Sequence, residues 1–311
     1  MDKEVQVVEQ IILFIMEKEY ILTGKDLVQA YDGRVILNHL NLKIQKGEFV
    51  TLVGPTGCGK STLLRAILGS ELPFSGEILM EGEHFKSPDK TRGIVYQKYS
   101  LYEFMDVKKN VTFGLRLGYF NLFQNILVSF VPFLLRKKHR LKLKQFKEEA
   151  EQYLEKVGLL EHKDKYPFQL SGGQRQRVAI TQSTITNPKI LLMDEPLGAL
   201  DVNTREILQL FIKKLWQETG MTIIFVTHDL EEAVFLGTRL IVLSQYYKGG
   251  NGNGAKIVKD IALTWPEPRS AEIKYSTEFN NIIRDIKLEG LDKTHLQSPE
   301  EFDLSHPDSI I

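Results

Sequence analysis

The chain of 311 residues has one cysteine, Cys58, and no excess of either charge, with 40 basic against 40 acidic side chains. One thiol cannot form an internal disulfide, which suits a reducing compartment. Zero net charge argues against nucleic acid as the main partner, because phosphate-backbone binding needs a basic surface. Long apolar runs are missing too. The run Ile11 to Met16 is too short for a signal core, and the start, Met1-Asp2-Lys3-Glu4, is not basic. The best candidate for a membrane span, Leu117 to Leu135, is broken by Asn121, Gln124, Asn125, Ser129 and Pro132, whose polar or helix-breaking groups are costly in hydrocarbon. The expectation is a soluble protein that reaches a membrane only through a partner. No internal repeat or heptad stretch is visible. The length and the 42% hydrophobic content allow one large core and a small second one.

What is present is strongly patterned. Leu27 to Ile44 alternates apolar and polar residues around Asp32-Gly33, which predicts paired strands. Phe49 to Val53 reads as a buried strand and Lys60 to Leu68 as the helix after it. Val107 to Val157 is mostly helical in character. Ile190 to Met193 and Thr222 to Val226 are apolar throughout, as parallel strands covered on both faces are. Leu240 to Leu243 and Lys256 to Ala262 predict a late hairpin around the glycine-rich loop 249–254. Past Leu288 the chain turns polar and acidic, which predicts a loose tail.

Between the first strand and its helix lies Gly54-Pro55-Thr56-Gly57-Cys58-Gly59-Lys60-Ser61-Thr62, with the G-x-x-x-x-G-K-S spacing of a phosphate-cradling loop. Its glycines let backbone N–H groups turn inward on a polyphosphate, where a Cβ would block the approach. Lys60 adds a cation for the β and γ phosphates, and Ser61 offers a hydroxyl to magnesium. Cys58 reads as a small residue that fits the loop. Asp194-Glu195 follows the Ile190 strand, and a carboxylate at a strand end can hold magnesium beside phosphates. Far from the loop stands Leu170-Ser171-Gly172-Gly173-Gln174, continued by Arg175-Gln176-Arg177.

Together the loop and that pentapeptide resemble the ATP-binding subunits of ABC transporters, over about Lys25 to Phe279. The resemblance implies an α/β fold: a P-loop NTPase core of the ABC ATPase type with an antiparallel β subdomain and an inserted α-helical subdomain. It implies an ATPase domain over 25–289, with the helical subdomain at about 98–185 and an extended insertion at about 117–147. An amino-terminal extension, 1–24, and a polar tail, 290–311, flank it. By the same resemblance Asp194 holds magnesium with Ser61 and Gln97, and Glu195 is the general base that polarises the attacking water. Gln97 matches the glutamine that touches magnesium and water and senses the membrane subunit. His228 is the switch histidine on the γ-phosphate, Tyr31 stacks on adenine, and Asp201 lies at a dimer interface. Residues Gly54 to Thr62 of one subunit and Ser171, Gly172, Gly173 and Gln174 of a second copy enclose each ATP, the signature helix start suiting a γ-phosphate. Hydrolysis then lets the dimer open.

Finer details are similar to the nitrate, sulfonate and taurine importers: Glu195-Pro196-Leu197-Gly198-Ala199-Leu200-Asp201, Thr227-His228-Asp229-Leu230-Glu231-Glu232, and the late Trp265-Pro266-Glu267-Pro268-Arg269. Leu197 stands where phenylalanine is usual, and Thr181-Gln182-Ser183 replaces Ala-Arg-Ala. The implied function is the energy-coupling ATPase of an importer of a small anionic solute. It would act on the cytoplasmic face of the inner membrane, with a second copy of itself or a homologous ATPase, permease subunits and a solute-binding protein. Alternatives are a lipid-transport or export system, or a non-transport ABC ATPase, although those last typically have tandem nucleotide domains, coiled coils or zinc cysteines. The insertion admits two readings, a helical hairpin packed on its own subdomain or a segment against the permease or anionic headgroups.

Overall fold

A computed structural model describes residues 20–119, 137–250 and 252–309. The apolar run Ile11 to Met16 and the apolar middle of the insertion lie outside these residues. In chain order the elements are β1 (Tyr20–Tyr31), β2 (Arg34–Gln45), β3 (Phe49–Val53), α1 (Lys60–Leu68), β4 (Ser75–Met80), β5 (Glu83–His84), β6 (Arg92–Val95), α2 (Val107–Tyr119) and α3 (Lys137–Lys156). Then come α4 (Gly172–Thr184), β7 (Ile190–Asp194), α5 (Val202–Thr219), β8 (Thr222–Val226), α6 (Leu230–Leu236), β9 (Arg239–Ser244), β10 (Lys256–Ala262) and α7 (Thr277–Ile286). They fall into two compact units, one from residues up to 88 together with 213 onward, the other from 89 to 212.

The first unit holds an antiparallel sheet, β2-β1-β4-β5, and the strands β10-β9-β3-β8. The β1–β2 hairpin closes as the alternation predicts, with Tyr31 opposite Arg34. Its two turn residues, Asp32 and Gly33, both have positive φ, 48° and 78°, and such a turn matches the natural twist of the strands. β3 runs parallel to both β8 and β9. All three strands are buried along their whole length, because both faces are covered. Phe49 meets Trp216 edge-on at 5.9 Å and Phe225 at 6.1 Å in this core.

One charge pair is buried with them. Arg239, 1% exposed, donates through Nε and Nη2 to the two oxygens of Asp260 at 2.7 Å each, and through Nη1 to the Lys43 carbonyl at 2.7 Å. The carboxy-terminal residues close over this pair, and here the expectation of a loose tail is corrected. The Asp303 carbonyl accepts from Asp260 N–H at 2.8 Å, and the Asp260 carbonyl accepts from His306 N–H at 2.9 Å. Ser309 Oγ donates to Asp260 at 2.7 Å, while Asp308 accepts from Tyr20 Oη and Gln45 Nε2, each at 2.7 Å. Lys259 pairs with both Glu289 and Asp303. Polar residues are ordered here because a buried ion pair and a sheet edge need partners.

The second unit carries the parallel pair β6–β7 and the helices α2, α3 and α4. It therefore takes in two strands beside the helices expected at about 98–185. Phe146 on α3 packs against Leu115 of α2 and Leu143 and meets Tyr119 edge-on at 5.8 Å. The cations Lys144 and Lys147 of the same helix are exposed. No helix of the described residues is long and apolar enough to cross a membrane.

Removing one member of a buried pair leaves the other charge uncompensated. Asp260→Asn is expected to lower the unfolding free energy by about 3 kcal/mol, read from urea denaturation, whereas Ser309→Ala should cost about 1 kcal/mol.

The tail also has a pH dependence. Burial and the neighbouring Arg239 hold the His306 imidazole below its ordinary pKa. A base with a lowered folded pKa costs nothing above its free value of about 6.5. Below that value the unfolded chain takes the proton first, so stability falls as pH drops toward the folded pKa. Glu48 acts in the opposite sense, its carboxyl pushed up mainly by burial. His306→Gln should therefore decline less than wild type between about pH 7 and about pH 5, measured as the thermal midpoint at each pH.

Candidate active site

In the first unit β3 ends at Val53 and the chain turns through the loop into α1. A Cβ on residue 54 would lie 2.0 Å from the Leu243 carbonyl oxygen and 2.8 Å from Cys58 Sγ, so only glycine fits there. Gly59 takes φ 100° as the N-cap of α1, and a Cβ on it would meet Leu37 and Ile36. No side chain caps α1 and no acidic residue lies in its first turn. The start of that helix thus carries no competing carboxylate or capping oxygen, and its dipole makes an anion the favoured ligand.

Lys60 Nζ donates to the Gly54 carbonyl at 2.8 Å and the Pro55 carbonyl at 3.2 Å, which ties the ammonium to the loop it serves. Pro55 and Ser61 are half-buried, Thr56 and Gly57 exposed, and Thr62 buried with its Oγ1 accepting from Arg65 at 3.1 Å. Cys58 is buried, and burial pushes its thiol above the ordinary pKa, so the sulfur fills space and is a poor nucleophile.

His228 leaves the end of β8, and Leu52 of β3 pairs with Val226 of β8, so the loop and the histidine emerge at the same sheet end within this unit. His228 is exposed, and the next residue, Asp229, caps α6 by accepting from Glu232 N–H at 3.1 Å. Tyr31 is at the tip of β1, 37% exposed, with its hydroxyl accepting from Arg65 at 3.4 Å. Arg65 also pairs with Glu71 at 2.9 Å. Arg65 and Leu243 support the site without belonging to any of its motifs. Arg65 lies on the turn after Ser61 on the same helix, a periodicity that marks the neighbourhood.

In the second unit β6 and β7 run parallel with Val95 opposite Met193, which brings Gln97 and Asp194-Glu195 to one sheet end. Gln97 Nε2 approaches Glu195 Oε2 at 3.4 Å. Asp194 and Glu195 are half-buried. Glu195 holds φ 47°, a left-handed backbone that costs a non-glycine residue about 1–3 kcal/mol and clusters at working sites. Carboxylates, a side-chain amide and a serine hydroxyl are all hard oxygen donors of the kind that suit Mg2+.

The signature stretch is a helix start. Ser171 Oγ accepts from Gln174 N–H at 3.2 Å, and Gln174 Oε1 accepts from Ser171 N–H at 3.0 Å, a reciprocal cap on α4. The hydroxyl hydrogen of Ser171 remains a donor. A Cβ on residue 173 would strike Thr204 at 2.5 Å, and one on residue 172 would crowd Tyr99 and Leu200, each at 3.1 Å. Arg175 lies over the Tyr99 ring at 4.9 Å. Asp201 caps α5, accepting from Thr204 N–H at 3.0 Å, and backbone bonds hold its carboxyl below the ordinary pKa.

Away from this machinery, Glu48, His306 and Asp308 place possible ligand atoms within 4.8 Å of one another. Their bonding opposes a metal. Asp308 N–H donates to His306 Nδ1 at 3.1 Å, so the neutral imidazole carries its proton on Nε2, the atom facing Glu48. Arg239 also stands 3.5 Å from Glu48.

Known proteins match on the same features. The ABC transporter family model matches residues 37–198. The nitrate import ATP-binding protein NrtD of Synechocystis is 42% identical over 85% of this chain and 95% of its own length. The taurine import ATP-binding protein TauB of Escherichia coli O157:H7 is 42% identical over 70% of this chain and 77% of its own. Among solved structures, a dimeric ATP-binding cassette in a post-hydrolysis state with ADP and Pi superposes with TM-score 0.62 and 28% identity, over 79% of this chain and all, 100%, of that one. With its phosphate loop, strand-end carboxylates and capped signature helix, the chain belongs to the ABC transporter family as an ATP-binding subunit that hydrolyses ATP.

Proposed function

We propose that this chain energises the import of a small anionic solute, hydrolysing ATP as one of two cassettes docked on membrane permease subunits. The observation that carries the reading is the pair of helix starts, α1 behind Lys60 and α4 behind Ser171, each presenting N–H donors suited to phosphate. Import comes from relatives named for nitrate, a small anion, and taurine, a small sulfonate whose charge an ammonium balances, and pairing comes from the dimeric cassette.

In this reading the phosphate loop holds the triphosphate through backbone N–H groups and Lys60, and Tyr31 stacks on the base. Ser171, Gly172 and Gly173 of the partner subunit cover the γ-phosphate, Gln174 fixing that helix start. Glu195 accepts the proton of the attacking water, and His228 contacts the γ-phosphate. Mg2+, held by Ser61, Asp194 and Gln97, would supply charge neutralisation at the phosphates. Asp201 orders the loop beside the signature through its cap on α5.

A permease contact is supported by exposed aromatics in the second unit. Phe104 is 74% exposed and Phe168 68%, beside Tyr102 and Tyr166 at ring distances of 5.7 and 5.8 Å. Backbone bonds from Val107 to Lys165 and from Lys108 to Lys163, 2.8 and 2.9 Å, pin the two segments together. Aromatic rings left in water on a rigid surface are typical anchors.

Glu195→Gln is expected to bind ATP as wild type does while turnover falls by about 100-fold or more, with a closed dimer accumulating on size exclusion in ATP. Lys60→Ala should instead weaken ATP binding itself, measured by fluorescent nucleotide titration. Wild-type turnover in Glu195→Gln would remove the general base.

The function itself is tested on the membrane complex that co-purifies with this chain. Its ATPase should rise when a solute-loaded binding protein and nitrate or a sulfonate are added. Stimulation by lipid alone, or by a cationic solute, would overturn the anion-import reading. The double variant Phe104→Ser, Phe168→Ser should lose co-purification and retain ATP binding.

A further inference from the structure

The helix that follows His228 is gripped from its far end. α6 has seven residues, Leu230–Leu236, and its last carbonyls have no partners within the helix. Each is taken from outside by a side chain. Trp265 Nε1 donates to the Val234 carbonyl at 3.0 Å, Arg269 Nη1 to the Phe235 carbonyl, Lys213 Nζ to the Leu236 carbonyl at 3.2 Å, and Arg269 Nη2 to the Gly237 carbonyl at 2.7 Å. Glu267 ties the donors together, accepting from Lys213 at 2.7 Å, Arg269 Nε at 3.0 Å and Gln217 at 2.8 Å.

This arrangement is expensive for a helix end. The side chains of Lys213 and Arg269 are 4% and 1% exposed. Desolvation, followed by the nearby Arg269, lowers the Lys213 pKa to about 8 even with Glu267 in contact. An ordinary helix end is finished by water or a glycine turn, with no buried cation. Two buried cations and an indole on four successive carbonyls fix the axial position of α6 as well as its stability. A helix this short has little stiffness of its own nucleation, so its anchors decide where it lies. At about 1.5 Å per residue the clamp acts from roughly 10 Å behind Asp229, the cap that directly follows His228.

We propose that Trp265 and Arg269 are positioning residues for ATP hydrolysis: by seizing the last carbonyls of α6 they hold the helix in the register that sets His228 on the γ-phosphate. The proposal rests on the reading of His228 given above. It assigns the Trp265-Pro266-Glu267-Pro268-Arg269 stretch a part in turnover that it plays through α6.

The test uses the full chain with two mild variants. Trp265→Phe removes one N–H donor and keeps a ring beside Phe279, which Trp265 meets at 6.0 Å. Arg269→Lys keeps the charge and loses the fork. Steady-state kinetics, thermal unfolding and 15N spectra of the histidine side chains are recorded, the spectra with Mg2+ and a non-hydrolysable ATP analogue. His228→Gln assigns the His228 signal and serves as the comparator. Each clamp variant should lower kcat by about fivefold with KM for ATP within about twofold, and the analogue-induced shift of the His228 signal should shrink. A variant that is less stable yet keeps wild-type kcat and the full His228 shift would show a clamp that is only structural, overturning the proposal. A fall in kcat with an unchanged His228 shift would overturn it as well. Wild-type turnover in His228→Gln would instead remove the reading of His228, and the clamp's role would fall with it.

Discussion

The space available to the phosphate loop is set by the carbonyl of Leu243 beneath it. A Cβ at residue 54 would lie 2.0 Å from that oxygen, so with β3 and β9 side by side the loop must begin on a glycine. β9 therefore carries two burdens. Its last residues form the floor of the loop, and its first residue is Arg239, paired with Asp260 and covered by the carboxy-terminal residues. A disturbance at the ion pair acts on the strand whose other end supports the nucleotide site.

Helix starts divide the labour in the same economical way. α4, α6 and α7 all have side-chain caps, from Ser171, Asp229 and Ser276. α1 has none. A cap side chain would compete with an anion for the N–H groups of the first turn, and of these four helices the one without a cap follows the phosphate loop. At Ser171 the hydroxyl oxygen serves the helix and the hydroxyl hydrogen is left for a ligand. This lets one residue satisfy fold and function together.

Sequence pattern carried the parts that are local. The loop spacing, the Asp32-Gly33 turn and the wholly apolar strands depend on near neighbours, and each formed as expected. The tail was misread because its order comes from afar. Asp308 bonds to Tyr20 across 288 positions and to Gln45 across 263, and no window of sequence contains both ends. The left-handed backbone of Glu195 was equally hidden, since glutamate has no preference for it and the surrounding fold imposes it. Trp265 to Arg269 was visible as a family stretch, but its contacts with three carbonyls at the end of α6 were not.

The first unit is assembled from two stretches with the whole of the second unit between them. During translation the strands β1 to β5 emerge first, yet β8, β9 and β10 arrive only after residues 89–212 have been made. The contiguous second unit can fold as it leaves the ribosome, since its contacts are all at hand. β1, β2, β4 and β5 can pair with one another, but β3 must wait, with both edges open, until β8 and β9 emerge. Chaperone demand should therefore concentrate on nascent chains stalled between β5 and β8, where the phosphate loop has been synthesised but has no floor.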